Sequence, residues 1–109
     1  MKAMIIKEIG STDVFQLAEK AKPSVKPGHM LVEVKATSVN PLDTMLRSVA
    51  LPWSANLPEI LHGDVAGIVS EVGEGVTDFA VGDEVYGMAG GINGVDGALA
   101  EFMLVDARL

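Results

Sequence analysis

The sequence predicts a mainly β domain, and three observations carry that reading. A chain of 109 residues is long enough for one core and no more. Glycine and proline recur at short intervals, twelve and five times in all. Between them lie short runs rich in valine and isoleucine, the residues that fit a pleated, half-buried surface. A domain of this size buries roughly two thirds of its unfolded surface, so an ordinary apolar core suffices to hold it together.

The elements follow in chain order. Lys2 to Glu8 reads as a first strand and Phe15 to Glu19 as a second, with a turn from Pro23 to Gly28. Met30 to Ala36 alternates apolar Met30, Val32 and Val34 with Glu33 and Lys35, which sets one face on a core and the other toward water. After Ser38 the period changes, because Leu42, Met45, Leu46 and Val49 are spaced as on one side of a helix. Asn40 suits the N-cap, Pro41 the first helical position and Asp43 the positive end of the dipole, with Arg47 one turn on to pair with Asp43. Pro52 marks the latest point at which an unkinked helix stops. Leu51 to Leu61 reads as a loop and holds the single tryptophan, Trp53. Val65 to Val72 is a strand, Gly73 to Gly75 a turn, Val81 to Met88 a strand, Ala89 to Gly97 an extended loop and Ala98 to Val105 a closing strand.

Charge and composition exclude several functions. With 8 basic against 15 acidic residues the net charge is -7, so the attraction that drives nucleic-acid or anionic-membrane binding is missing. The absence of cysteine removes disulfides, thiolate metal sites and cysteine nucleophiles together. Apolar runs such as Ala3 to Ile6 fall far short of the ~20 residues of a membrane span, and the amino terminus lacks the apolar core of a secretory signal. A cytoplasmic, monomeric protein is the expectation.

Among candidate motifs, Gly73 and Gly75 lack the third glycine and the following helix of a dinucleotide fingerprint, so they read as a turn. Gly91, Gly94 and Gly97 read as permissive loop residues. His62 and Asp64 flank Gly63, but His29 is remote and no zinc spacing results; His62 is a hydrogen-bonded loop or cleft residue rather than a ligand. The helix start at Asn40 carries the best chemical signal, since free amides and positive potential there suit an anion or a developing negative oxygen. Capping alone explains the same residues equally well, and Asp43 with Arg47 suits a surface pair of a few tenths of a kcal/mol.

Three segments, VKATSVNPLDTMLRS, ILHGDVAGIVSEVGEGVTDFAVGDEVYG and GALAEFMLVDARL, occur in this order. Together they resemble the amino-terminal GroES-like domain of medium-chain dehydrogenases and reductases, and within it the zinc-independent quinone oxidoreductase branch. The resemblance covers nearly the whole chain. It implies a GroES-like, partly open β-barrel with short helices, the catalytic domain that packs against a Rossmann cofactor domain. On this reading residues 1–109 are that catalytic domain, the Rossmann domain is absent, and the fragment alone is inactive.

The implied activity is NADPH-dependent, zinc-independent hydride transfer to a quinone, enone or related conjugated carbonyl. By the resemblance, Asn40 is catalytic and lies with Pro41 and Asp43 beside the cofactor, while Met45, Arg47, Trp53, His62 and Asp64 shape the substrate cleft. Zinc-dependent relatives carry cysteine at the position of Asn40 and Gly-His-Glu at the positions of His62, Gly63 and Asp64, so the histidine here is displaced by one and no metal is expected. A tyrosine common in the branch is replaced by Met45, which substitutes an apolar wall for a hydroxyl. Two alternatives remain beside this reading: a stand-alone GroES-like binding or co-chaperonin-type module, and a zinc-type alcohol dehydrogenase fragment.

Overall fold

A computed structural model describes residues 1–48 and 57–108. The described residues form six strands and one helix: β1 (Lys2–Ile5), β2 (Gln16–Glu19), β3 (His29–Thr37), α1 (Pro41–Ser48), β4 (Asp64–Val72), β5 (Glu84–Met88) and β6 (Phe102–Asp106). A single 3-10 turn, Thr12–Val14, precedes β2. The mainly β expectation therefore holds.

The strands form two antiparallel sheets, one of β1 and β2 and one in the order β5-β4-β3-β6. They are joined by the segment leading into β6, where Ala100 bridges to Ala3, the Met4 amide donates to the Leu99 carbonyl and the Glu101 amide donates to the Lys2 carbonyl. The sheets thus curl toward each other without full closure, which is the partly open barrel.

β3 is the middle of the larger sheet, and its burial explains its sequence. Met30 and Val32 face a core cluster with Val65, Val69, Met103 and Val105. Leu31 on the opposite face is also fully buried, at 0% exposure, so the water-facing side begins only at Glu33. Two irregularities in the β3–β4 register leave Ser70 and Lys35 as extra residues. The buried Ser70 hydroxyl has no partner among the described residues. Two smaller clusters complete the interior, one around Ala3, Ile5 and Ile60 and one around Ile6, Leu46 and Leu61. The second cluster docks α1, through Leu46, onto the barrel.

Several boundaries differ from the sequence expectation, each because another partner takes the backbone. β1 stops at Ile5 rather than Glu8, since the Ile6 amide donates to the Glu59 carbonyl. β5 begins at Glu84 rather than Val81, because Ala80 to Asp83 is a turn with Gly82 at φ 96°. β6 begins at Phe102 rather than Ala98, because the Ala98 and Leu99 amides donate to the His62 and Leu61 carbonyls. Pro52, Trp53 and the larger part of the Leu51 to Leu61 loop lie outside the described residues.

At Gly67 β4 runs close against β3, where an added Cβ would overlap the Glu33 carbonyl and lie 2.8 Å from Val32 Cγ1. Gly67→Ala should therefore lower the unfolding free energy by about 1–3 kcal/mol, the usual range for forcing a methyl into a filled site. Gly87→Ala, on β5 with open space around it, should change stability by less than about 0.5 kcal/mol. Urea unfolding of both variants beside the parent chain measures the contrast.

Candidate active site

The site forms where β3 leaves the sheet and β4 enters it. Thr37 is the last residue of β3 and pairs with Val65, which places Ser38 to Asn40 beside the first residue of β4, Asp64. The Thr37 hydroxyl donates to the Asp64 carbonyl at 2.7 Å, fixing that corner through backbone as well as side chain. Ser38 Oγ then donates to Asp64 Oδ2 at 2.6 Å, and Asn40 Nδ2 donates to the same oxygen at 2.8 Å. These two bonds, the serine first and the asparagine second, hold the Asp64 carboxyl below the ordinary carboxylate range.

α1 begins at Pro41, but its cap is not the expected one. The Asn40 side chain is spent on Asp64 rather than on the first-turn amides. Capping comes from Asp43, whose Oδ2 accepts the Asn40 backbone amide at 2.7 Å while the Asp43 amide donates to the Asn40 carbonyl at 2.9 Å. This is the return half of a capping box, with aspartate three residues into the helix reaching back to the cap. It also buries Asp43 and consumes the Asn40 amide, while Pro41 has none to donate. The expected Asp43–Arg47 ion pair does not form: Arg47 Nη1 donates to the Gly10 carbonyl instead.

The predicted residues separate into two places. Asn40, Pro41, Asp43 and Asp64 line a cavity of about 290 Å³ together with Leu42, Gly63, Met88 and the glycines at 90 and 91. Asp43 also lines a second cavity of about 360 Å³, and it is here that Arg47 and His62 lie, among Met4, Phe15, Val39 and Leu61. Met45 lines neither cavity and is 44% exposed on the outer side of the helix. Asp43 is thus common to both cavities, with Arg47 and His62 on one side of it and Asn40 and Asp64 on the other, and Trp53 lies outside the described residues.

His62 is buried, with φ at 75°, and its Nδ1 lies 3.4 Å from the Thr37 hydroxyl. The left-handed backbone costs a non-glycine residue about 1–2 kcal/mol. Here it is held by the bond from the Ala98 amide to the His62 carbonyl and by the close packing of Gly91 and Gly97 on its backbone. Sequence reasoning missed Ser38, Thr37 and Met88. The signal for the first two was the polar Thr37-Ser38 step at the end of an apolar strand; nothing local pointed to Met88, which reaches the site only through the pairing of β5 with Asp64.

A zinc ion does not fit these residues. Where zinc-dependent relatives carry their ligands, this chain offers a carboxamide, a glycine and one carboxylate already bonded twice. Gly63 has no room for a side chain, since its Cβ would sit 2.9 Å from the Gly90 carbonyl oxygen. No cluster of three histidine, aspartate or glutamate side chains arises among the described residues. No helix among them is long and apolar enough to cross a membrane.

Residues 26–109 match the alcohol dehydrogenase GroES-like domain family. The chain is 35% identical over 105 residues to a quinone oxidoreductase of Rattus norvegicus, covering 95% of itself and 31% of that protein. It is 34% identical over 115 residues to a chloroplastic NADPH-dependent alkenal/one oxidoreductase of Arabidopsis thaliana, covering 100% of itself and 30% of that protein. Its fold matches that of an Escherichia coli quinone oxidoreductase complexed with NADPH with a TM-score of 0.82 at 27% identity, over 98% of this chain and 31% of that one. The chain therefore belongs to the alcohol dehydrogenase GroES-like family, the amino-terminal domain of medium-chain dehydrogenases and reductases. It spans about a third of the length of these relatives.

The charge state of Asp64 gives the site a pH signature. A carboxyl depressed below its unfolded value of 3.8 contributes stability that is complete above that value and lost as the pH falls through the lower folded one. The stability advantage of the parent chain over Asp64→Asn should be largest near neutral pH and should shrink as the pH drops below the unfolded value. Urea midpoints of both proteins across the acidic range test this; an advantage that grows on acidification contradicts it.

Proposed function

We propose that this domain forms one wall of a hydride-transfer crevice in an oxidoreductase that reduces quinones, enones or related conjugated carbonyls, with the facing wall supplied by a nucleotide-binding domain. The observation that carries the reading is the Asn40 carboxamide, held by Asp64 at the mouth of a cavity whose other walls are Leu42, Met88 and glycines. The resemblance to a quinone oxidoreductase and to an alkenal/one oxidoreductase supports the substrate class. NADPH, seen with one structural relative, is the proposed hydride source.

The donor set here fits only the nicotinamide end of such a cofactor. Pro41, Leu42, Met88 and three glycines give apolar contact, and the Asn40 carboxamide a polar one, with both carboxylates of the lining already bonded to Asn40 or Ser38, which suits a planar ring. Nothing comparable exists for phosphates among the described residues: Gly73 packs against the Lys26 and His29 carbonyls in a turn, and no helix follows it there. When bound, the reduced nicotinamide supplies a hydride to the substrate carbon. The chain's own part is to meet the charge that then develops on the carbonyl oxygen. Asn40 Nδ2 has two hydrogens, one committed to Asp64 and one left for the crevice, and the Leu42 amide lies at the same helix start.

Removing one preorganised donor typically costs about 3 kcal/mol in the transition state. Asn40→Ala, made in the polypeptide that pairs this domain with its nucleotide-binding domain, should lower turnover of a quinone or enone at least tenfold while circular dichroism stays unchanged. Unaltered turnover would remove Asn40 from the chemistry. NADPH titrated into the 109-residue chain alone should bind no tighter than millimolar; micromolar affinity would contradict the need for a second domain.

A further inference from the structure

An asparagine carboxamide has two ends of nearly equal size and opposite hydrogen-bonding sense, so a half-turn about its last torsion exchanges donor for acceptor. The proposed role of Asn40 depends on which end meets the substrate. Nitrogen inward stabilises a developing oxyanion; oxygen inward repels it. The surrounding Leu42, Met88 and glycine side of the cavity does not discriminate between the two.

Asp64 does. Its Oδ2 lies 2.8 Å from Asn40 Nδ2 and already receives the Ser38 hydroxyl at 2.6 Å. An ionised carboxylate only accepts, so the reversed carboxamide would set two oxygens against each other at that separation. Asp64 is itself located by the sheet: its backbone pairs with Met88 on β5 and its carbonyl accepts the Thr37 hydroxyl. On the main-chain side, a different carboxylate, that of Asp43, holds the Asn40 amide at 2.7 Å. Asn40 is thus gripped at both ends by separate acceptors from separate elements.

We propose that Asp64 is a positioning residue of this site, with Ser38 as its anchor: it selects the nitrogen-facing orientation of Asn40 and so fixes where the remaining Nδ2–H points. The inference rests on the reading of Asn40 as the donor to the substrate oxygen. Asp64 itself touches neither substrate nor cofactor in this account. Ser38 donates its only hydroxyl hydrogen to Asp64, which keeps the acceptor ionised and in one rotamer.

The first test needs no cofactor. In the 109-residue chain, the two Nδ2 protons of Asn40 should give well-separated nuclear magnetic resonance signals. Those signals should shift when Asp64 is protonated, with a midpoint below the ordinary carboxylate range. The other titratable groups near this corner are Asp43 on α1, His62 before β4 and Tyr86 on β5, so the same titration in Asp64→Asn must lose that transition for Asp64 to own it. Asn40 signals indifferent to the carboxylate titration overturn the proposal.

The second test is kinetic and uses the polypeptide with both domains. Asp64→Ala should lower kcat about tenfold with the KM for NADPH within about twofold, and Asp64→Glu, which restores an acceptor-only group, should recover part of the loss. If Asn40→Ala is crippled and Asp64→Ala is not, the positioning role fails while the proposed chemistry stands. If neither variant is impaired, both fail. Should Asp64→Ala not fold, the resonance titration of the parent chain decides alone.

Discussion

The antiparallel pairing of β3 with β4 governs where every group of the site stands. β3 is flanked on both edges, by β4 and β6, and its inward residues meet the main core. That leaves its end at Thr37 little freedom. From that fixed point the chain has only three residues, Ser38 to Asn40, before α1 begins, so the first turn of the helix falls beside the start of β4. Gly67 is a geometric condition for this arrangement, because a larger residue there would run into the Glu33 carbonyl and Val32. The chemistry at the corner is downstream of a packing constraint four residues into the neighbouring strand.

The polar groups at that corner divide the labour in a way that is economical for so small a domain. Of the two carboxylates, Asp43 is buried and completes a helix cap, and Asp64 is half-buried and gathers two side-chain donors. Each is satisfied by neutral donors rather than by a cation. Arg47, the obvious partner by helical spacing, is drawn to the Gly10 carbonyl. Neutral partners avoid the desolvation cost of an ion pair and leave no competing positive charge at the cavity mouth.

The sequence reported the fold well where local signals and tertiary demands agreed. The alternation of Met30, Val32 and Val34 and the valine-rich run from Val65 gave both central strands to within a residue or two. It misjudged β1 and β6 where a distant carbonyl captured an amide that local pattern assigned to the strand, and no local rule contains Glu59 or His62, while β5 lost its first residues to the turn at Gly82. At the site, Asn40, Asp43 and Asp64 stood out as residues, but the bonding among them did not. A favoured capping residue was present and a better acceptor lay 24 positions away, so the expected cap passed to Asp43. Nor does spacing along a chain say on which side of a helix a cavity opens, so the separation of Arg47 and His62 from Asn40 and Asp64, on either side of Asp43, was not legible locally.

The order of the residues His62 and Gly63 matters beyond the ligand count. Transposing the pair would put a histidine at the place that the resemblance matches to a zinc ligand, and the glycine would sit comfortably in the left-handed backbone at 62. Yet the transplanted imidazole would begin its path against the Gly90 carbonyl. Installing an imidazole at position 63 thus calls for rebuilding the glycine loop at 90–91 first, so the backbone as much as the side chains decides what this corner can hold.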